Sequence, residues 1–98
     1  MKHKQRIENL LNGIAQALDI PVSREEARLR GKHYYLKSDY NSVYGGYTLL
    51  LVGASTGAQR HFYKYERVKT KEYISHLEGM YAIISYCKQN NQQLNNYE

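Results

Sequence analysis

The sequence predicts an α+β domain in which a helix, three antiparallel strands and a second helix follow one another, with both helices packed on one face of the sheet. Three observations predict it. Apolar residues recur at helical spacing near both ends of the chain. Three short β-rich runs lie between them. Glycine-rich turns separate those runs so closely that antiparallel meander pairing is the economical arrangement.

Ile7, Leu10, Leu11, Ile14 and Leu18 recur at spacings of three and four, one face of a helix over about residues 4–19. Pro21 stops it. Residues 20–31 show no apolar periodicity. Ser23 and Glu26 have capping-box spacing, which allows a helical turn there. The segment otherwise reads as a basic connector exposing Arg24, Arg28, Arg30 and Lys32.

The first strand is 33–37, where Tyr34 and Leu36 alternate with His33, Tyr35 and Lys37. The second, 47–52, is apolar on nearly both faces, as a central strand should be. The third is 60–65. Gly45-Gly46 and the small-residue loop 53–57 supply the turns. In the second helix, Thr70 is the expected N-cap. Tyr73, Leu77, Met80, Ile84 and Cys87 form the stripe, widened by Ile74 and Tyr81, and the helix should end near Lys88. The amide-rich residues 89–98 read as a fraying polar tail, leaving 4–88 as the ordered part of a single domain spanning 1–98. With both helices on one face, the other sheet face is left open or shared with a partner.

Length and composition limit the function classes. At 98 residues and 42% apolar, the chain can bury one modest core. The longest apolar run, 49–52, falls far short of the ~20 residues of a membrane span, so no membrane partner is expected. The basic start MKHKQR is followed by Ile7, Glu8 and Asn9, not by the apolar stretch of an export signal. One cysteine, Cys87, excludes an internal disulfide. Together these predict a cytoplasmic protein.

The net charge is +5, unevenly spread. Residues 1–37 hold eight basic and four acidic side chains, while 38–66 balance at two against two and 67–98 carry four against three. A basic N-terminal part permits nucleic-acid binding through counterion release. Arg67, Lys69 and Lys71 cluster where the second helix begins. The helix dipole disfavours cations there, whereas the backbone amides attract anions, so the cluster suits phosphate. Arg67, Lys69, Lys71, Arg28, Arg30 and Lys32 are the candidate contacts to DNA or RNA.

Eleven of the twelve aromatic residues are tyrosines, a residue suited to half-buried sites and interfaces. The core accounts for Tyr34, Tyr73 and Tyr81. Alternation against Phe62 puts Tyr63 and Tyr65 on the outer sheet face, near Tyr35, His33 and Lys37. Such an aromatic and basic face could stack bases, and Tyr35, Tyr63 and Tyr65 are equally the candidate interface to a protein partner or to a second copy in a homo-oligomer.

Gly53-Ala54-Ser55-Thr56-Gly57 matches G-x-S-x-G but leads towards another strand and reads as a hairpin loop. His33 and His61 lie on different strands and could face each other, without further ligands at metal spacing. Cys87, on the apolar stripe, reads as a small buried hydrophobe. No nucleophile set, metal cluster or cofactor loop assembles, so the expectation is a non-enzymatic binding module without a cofactor.

The strand and helix order, with lysines at the start of the second helix, resembles the double-stranded-RNA-binding domain. In that family the first helix, the loop between strands one and two, and the start of the second helix contact the duplex. The resemblance is of topology. The family's Gly-Pro-x-His loop is absent, since 39–46 reads DYNSVYGG, and its small-residue run is reduced to Gly79 and Ala82. The segments VYGGYTLLLV (43–52) and RVKTKEYISHLEGM (67–80) also look like small proteins of mobile elements from gut Bacteroides-type bacteria, which implies no activity.

Overall fold

Helix α1 (Lys2–Leu18) turns Ile7, Leu10, Ile14 and Ala15 inward, with Leu11 half-buried at the flank. Here and below, the computed structural model describes residues 2–63 and 66–96, with side chains through Gln89. The end of α1 comes from a left-handed residue as well as from the proline. Asp19 has φ 57°, its N–H donates to the Gln16 carbonyl at 3.2 Å, and the Ile20 N–H donates to the Ala15 carbonyl at 2.9 Å. Aspartate is among the few side chains that tolerate this conformation, and the two bonds satisfy the last carbonyls. Pro21 then lies along the edge of the sheet, where its carbonyl accepts the Leu36 N–H at 2.9 Å.

The connector is not irregular throughout. Residues Arg24–Leu29 form helix α2, six residues long. Ser23 is extended and its hydroxyl accepts the Glu26 N–H at 3.2 Å, one half of the capping box, while Glu26 Oε2 reaches back to the Val22 N–H at 3.4 Å. Gly31, at φ 66°, closes the helix with the same two-bond arrangement that closes α1. The sequence shows no periodicity here because only Ala27 is buried.

Strands β1 (Tyr34–Asn41), β2 (Gly46–Gly53) and β3 (Gln59–His61) form an antiparallel sheet in the order β1-β2-β3. β1 runs four residues beyond its expected end. Its polar residues are held by tertiary partners: the Tyr73 hydroxyl donates to Ser38 Oγ at 2.9 Å, and Asp39 receives Arg67. β3 is shorter than the expected 60–65. Pairing with β2 resumes at an isolated bridge, Tyr47 with Val68.

Helix α3 (Thr70–Asn96) extends past the expected end at Lys88. No glycine or proline interrupts 89–96, and glutamine is a good helix former. The Lys69 carbonyl accepts the Tyr73 N–H at 2.8 Å, so Lys69 holds the N-cap position and Thr70 is the first helical residue.

Both helices pack on one face of the sheet. Ile7, Leu10, Ile14, Tyr73 and Leu77 close on Leu36 and Leu49, which share that face with Leu51 by register. The opposite face, expected to be open or shared with a partner, is covered within the chain along its middle. Its central row, Thr48, Leu50 and Val52, is only 1%, 4% and 2% exposed.

Four residues expected on an apolar face are outside the core, among them Leu18 at the last turn of α1, which is exposed. Tyr34 shares the face of Leu36 but stands at the rim of the sheet, opposite Gly53, and is exposed. The Tyr81 ring lies across Gly13 and is partly open. Cys87 is exposed. The 17-residue α1 spans about 25 Å and the 27-residue α3 about 40 Å, so α3 overruns its partner, but Gln16 and Ala17 still reach Ser85 and Lys88, so Cys87 is exposed through its angular position on α3 and not through the overrun. Among the described residues no helix is long and apolar enough to cross a membrane.

Candidate functional site

The contacts between α1 and α3 rise together along both helices. Arg6 pairs with Glu78 at 2.9 Å, Gly13 meets Tyr81, and Gln16 and Ala17 line a cleft with Ser85 and Lys88. The two helices are therefore parallel, and their N-termini lie at the same end of the molecule. The Tyr47–Val68 bridge brings the start of β2 to that end, because the Tyr47 N–H and the Val68 N–H each donate to the other's carbonyl, at 2.8 and 3.0 Å. The β1–β2 loop projects beside it. Asn41 Oδ1 accepts the N–H groups of Val43 and Tyr44 at 2.9 and 3.0 Å, which leaves both side chains exposed at the tip. One end of the molecule thus gathers Lys2, His3 and Lys4 of α1, the loop 42–45, and Lys69 and Lys71 of α3.

The six candidate cations divide between the two ends of the sheet. Lys69 and Lys71 are exposed at the helix-start end and enter no ion pair among the described residues. Arg67 is also there but is committed internally. Its guanidinium binds Asp39 Oδ2 at 2.5 Å and donates to the carbonyls of Asp39 and Gly46 at 3.1 and 3.3 Å. Arg28, Arg30 and Lys32 lie at the other end, before β1, one eight-residue strand or about 26 Å away. Arg28 is exposed. Arg30 pairs with Asp19 and, at 3.3 Å, with Glu26, while Lys32 reaches Asp19 at 3.0 Å. Hydrogen bonds from Lys32 and then Arg30 hold the Asp19 carboxyl below its ordinary pKa. This second group locks the end of α1 to the end of α2.

The candidate tyrosines do not share a face. Tyr35 is half-buried opposite Val52 on the outer face. Tyr63 turns to α3 instead, because the chain leaves the sheet after His61. Its hydroxyl contacts His76 Nδ1 at 2.8 Å and the rings meet edge to face. Partial burial, then the Glu72 charge, raises the Tyr63 pKa. Tyr65 lies outside the described residues. His33 and His61 are also apart: His61 is in register, through Leu50, with Lys37, four residues along from His33. His61 Nδ1 instead contacts Thr48 Oγ1 at 3.3 Å. The Gly53-to-Gly57 loop connects strand to strand, with Ser55 exposed.

Sequence reading missed Lys2 and Lys4 as members of this site. The signal was present in MKHKQR, but only the parallel packing of α1 on α3 puts that segment at the same end of the molecule as Lys69. It also missed a recess lined by Lys4, Ile7, Glu8, Ser38, Tyr40 and Tyr47 at the same end. The chain matches no family model, no curated protein and no solved structure.

Proposed function

We propose that this chain is a non-enzymatic nucleic-acid-binding module whose phosphate contacts are Lys69 and Lys71, joined by Lys2 and Lys4. The observation that carries the reading is the meeting of two helix N-termini and the β1–β2 loop at one end. Both helix dipoles direct their positive ends there, and the exposed lysines add full charges. A lysine at the N-cap position of α3 opposes the local preference for a hydrogen-bond-accepting side chain, and a phosphate partner would supply the missing acceptor. The same three elements contact the duplex in the double-stranded-RNA-binding domain, which this topology resembles. Arg67 supports the site from behind. Arg28, Arg30 and Lys32 are too far away to share one short contact with it.

The test is fluorescence anisotropy with labelled duplex and single-stranded RNA and DNA at 50 and 200 mM salt. Four neutralised phosphates on B-form DNA give a slope near −3.6 in log K against log salt, roughly a 150-fold loss over that range. Absence of binding to all four probes at low salt overturns the reading.

One observation favours a second reading, a protein–protein adaptor. Ile83 and Tyr86 on α3 are each 65% exposed, close to a shallow apolar groove lined by Tyr63, His76, Met80 and Ile83. A partner held there would show a much shallower salt dependence.

A further inference from the structure

The recess beside the lysines has the chemistry of a nucleobase site. It opens between the first two turns of α1 and the end of β1, with a volume of about 370 Å³. One wall is aromatic. The Tyr40 ring is 57% exposed and lies 4.9 Å from the Tyr47 ring, tilted by 48°. Tyr47 in turn stacks on Tyr73 at 4.9 Å, the planes 6° apart. The inner end of this ladder is fixed twice, by the Tyr73 hydroxyl donating to Ser38 and by the Tyr47 backbone bonded to Val68. Its outer end, Tyr40, is open. An aromatic face held rigid and left uncovered is what a planar ligand needs for stacking.

The polar groups are mixed in kind. Ser38 accepts from Tyr73, so its own O–H is left to donate. Lys4 and Glu8 lie one turn apart on α1 and line the recess, a triple donor and a pure acceptor. Ile7 supplies an apolar floor. A phosphate alone would not call for a carboxylate in its site. A base does, if it presents donors. Guanine is the nucleobase whose pairing edge offers two adjacent donors, N1–H and N2–H₂, beside an acceptor, O6. A carboxylate accepts the first two, and a hydroxyl or ammonium donor suits the third.

We propose that this recess receives one unpaired guanine base, stacked on Tyr40, its donor edge read by Glu8 and its O6 met by Ser38 or Lys4. The proposal rests on the nucleic-acid reading above and deepens it: Lys69 and Lys71 hold the backbone, and the recess takes a base displaced from the helix. Unpaired bases in RNA loops and bulges are the usual targets of such stacking and edge recognition. A free guanine nucleotide carries the same base and phosphate, so the two sources must be separated by experiment.

The experiment measures binding of the full chain to four probes at one salt concentration. These are a paired 12-base-pair RNA duplex, the same duplex with one bulged guanosine, the same with one bulged adenosine, and guanosine monophosphate alone. The expected result is that the guanosine bulge raises affinity about ten-fold over the paired duplex, the low end of stacking contributions. Tyr40→Ser should reduce the bulged probe to the level of the paired one. Glu8→Gln, at an exposed helix position, should equalise guanosine and adenosine bulges, and it keeps the test readable if Tyr40→Ser fails to fold. Equal binding of paired and bulged duplexes, both weakened by Lys69→Glu with Lys71→Glu, overturns the base site while sparing the phosphate reading. No binding of any RNA overturns both. Guanosine monophosphate binding as tightly as the bulged duplex, and lost in Tyr40→Ser, supports the base site and overturns the strand as its source.

Discussion

The Arg67 guanidinium closes on the Asp39 carboxylate at 2.5 Å while donating to the carbonyls of Asp39 and Gly46. One side chain therefore ties the end of β1, the start of β2 and the segment before α3. Both partners are partly sheltered, with side-chain exposures of 21% and 26%. Lys37, 3.8 Å from Asp39, would remain if Arg67 were removed. Arg67→Ala should therefore cost about 2 kcal/mol in urea denaturation, below the cost of stranding a fully buried carboxylate. Arg67→Lys should recover only part of that, because an ammonium cannot reproduce the planar fork. No loss of stability in Arg67→Ala would show that the cluster is ornamental to the fold.

Gly46 and Gly79 respond oppositely to an added methyl group. Gly46 has φ 120°, and a Cβ there would stand 2.3 Å from the Val68 carbonyl oxygen, a backbone atom that cannot swing aside. Gly46→Ala should destabilise by at least about 2 kcal/mol and open the Tyr47–Val68 bridge. Gly79 lies within α3 with open space around its missing side chain. Gly79→Ala should stabilise by about 0.5–1 kcal/mol through helix propensity. Thermal melts of the two variants give the signs directly.

Leucines on the two helices differ in weight. Leu77 is 0% exposed, and Leu77→Ala should cost ~2–5 kcal/mol. Leu11 is only half-buried at the edge of the cluster, so Leu11→Ala should cost about 1 kcal/mol. Equal costs in chemical denaturation would mean that the assignment of faces on α1 is wrong.

Tyr73 sets an alkaline limit. Burial raises its pKa from 10.0 to about 12, against a smaller lowering by the Ser38 hydrogen bond, with the charges of Tyr63, Tyr47 and Asp39 raising it further. The folded pKa lies above the unfolded one. The associated stability is therefore fully present below pH 10 and is lost as pH rises from about 10 towards about 12. The loss is on the order of 2–3 kcal/mol. Other tyrosines and lysines titrate in the same range, so the comparison is with Tyr73→Phe, which should lack this component. Parallel pH profiles for the two proteins would refute it.

The two groups of cations should separate in binding. Lys69→Glu with Lys71→Glu should weaken nucleic-acid binding across sequences without altering preference, since phosphates carry no sequence information. Arg28→Glu, at the other end of the sheet, should change affinity by less than about two-fold at physiological salt, where charges beyond about 8 Å are screened. Anisotropy titrations of both variants decide it.

Element order and strand order were legible in the sequence because they follow from local signals. The apolar stripes of α1 and α3, the doubly apolar β2 and the glycine turns each express their structure within a few residues. Ser23 and Glu26 signalled the start of α2, but one buried alanine gave its body no periodicity. The far half of β1 was hidden because Ser38 and Asp39 are polar, and they are strand residues only by virtue of Tyr73 and Arg67, some thirty residues away. Tyr63 was misplaced because alternation holds only while the chain stays in the sheet, and β3 ends at His61. The composition of the candidate site was readable as lysines and tyrosines, but its membership was not. Whether Lys4 lies at the same end as Lys69, and whether Tyr40 walls a recess with Glu8, depends on α1 packing parallel to α3. That direction is set by how three buried surfaces fit together, and no local run of residues encodes it.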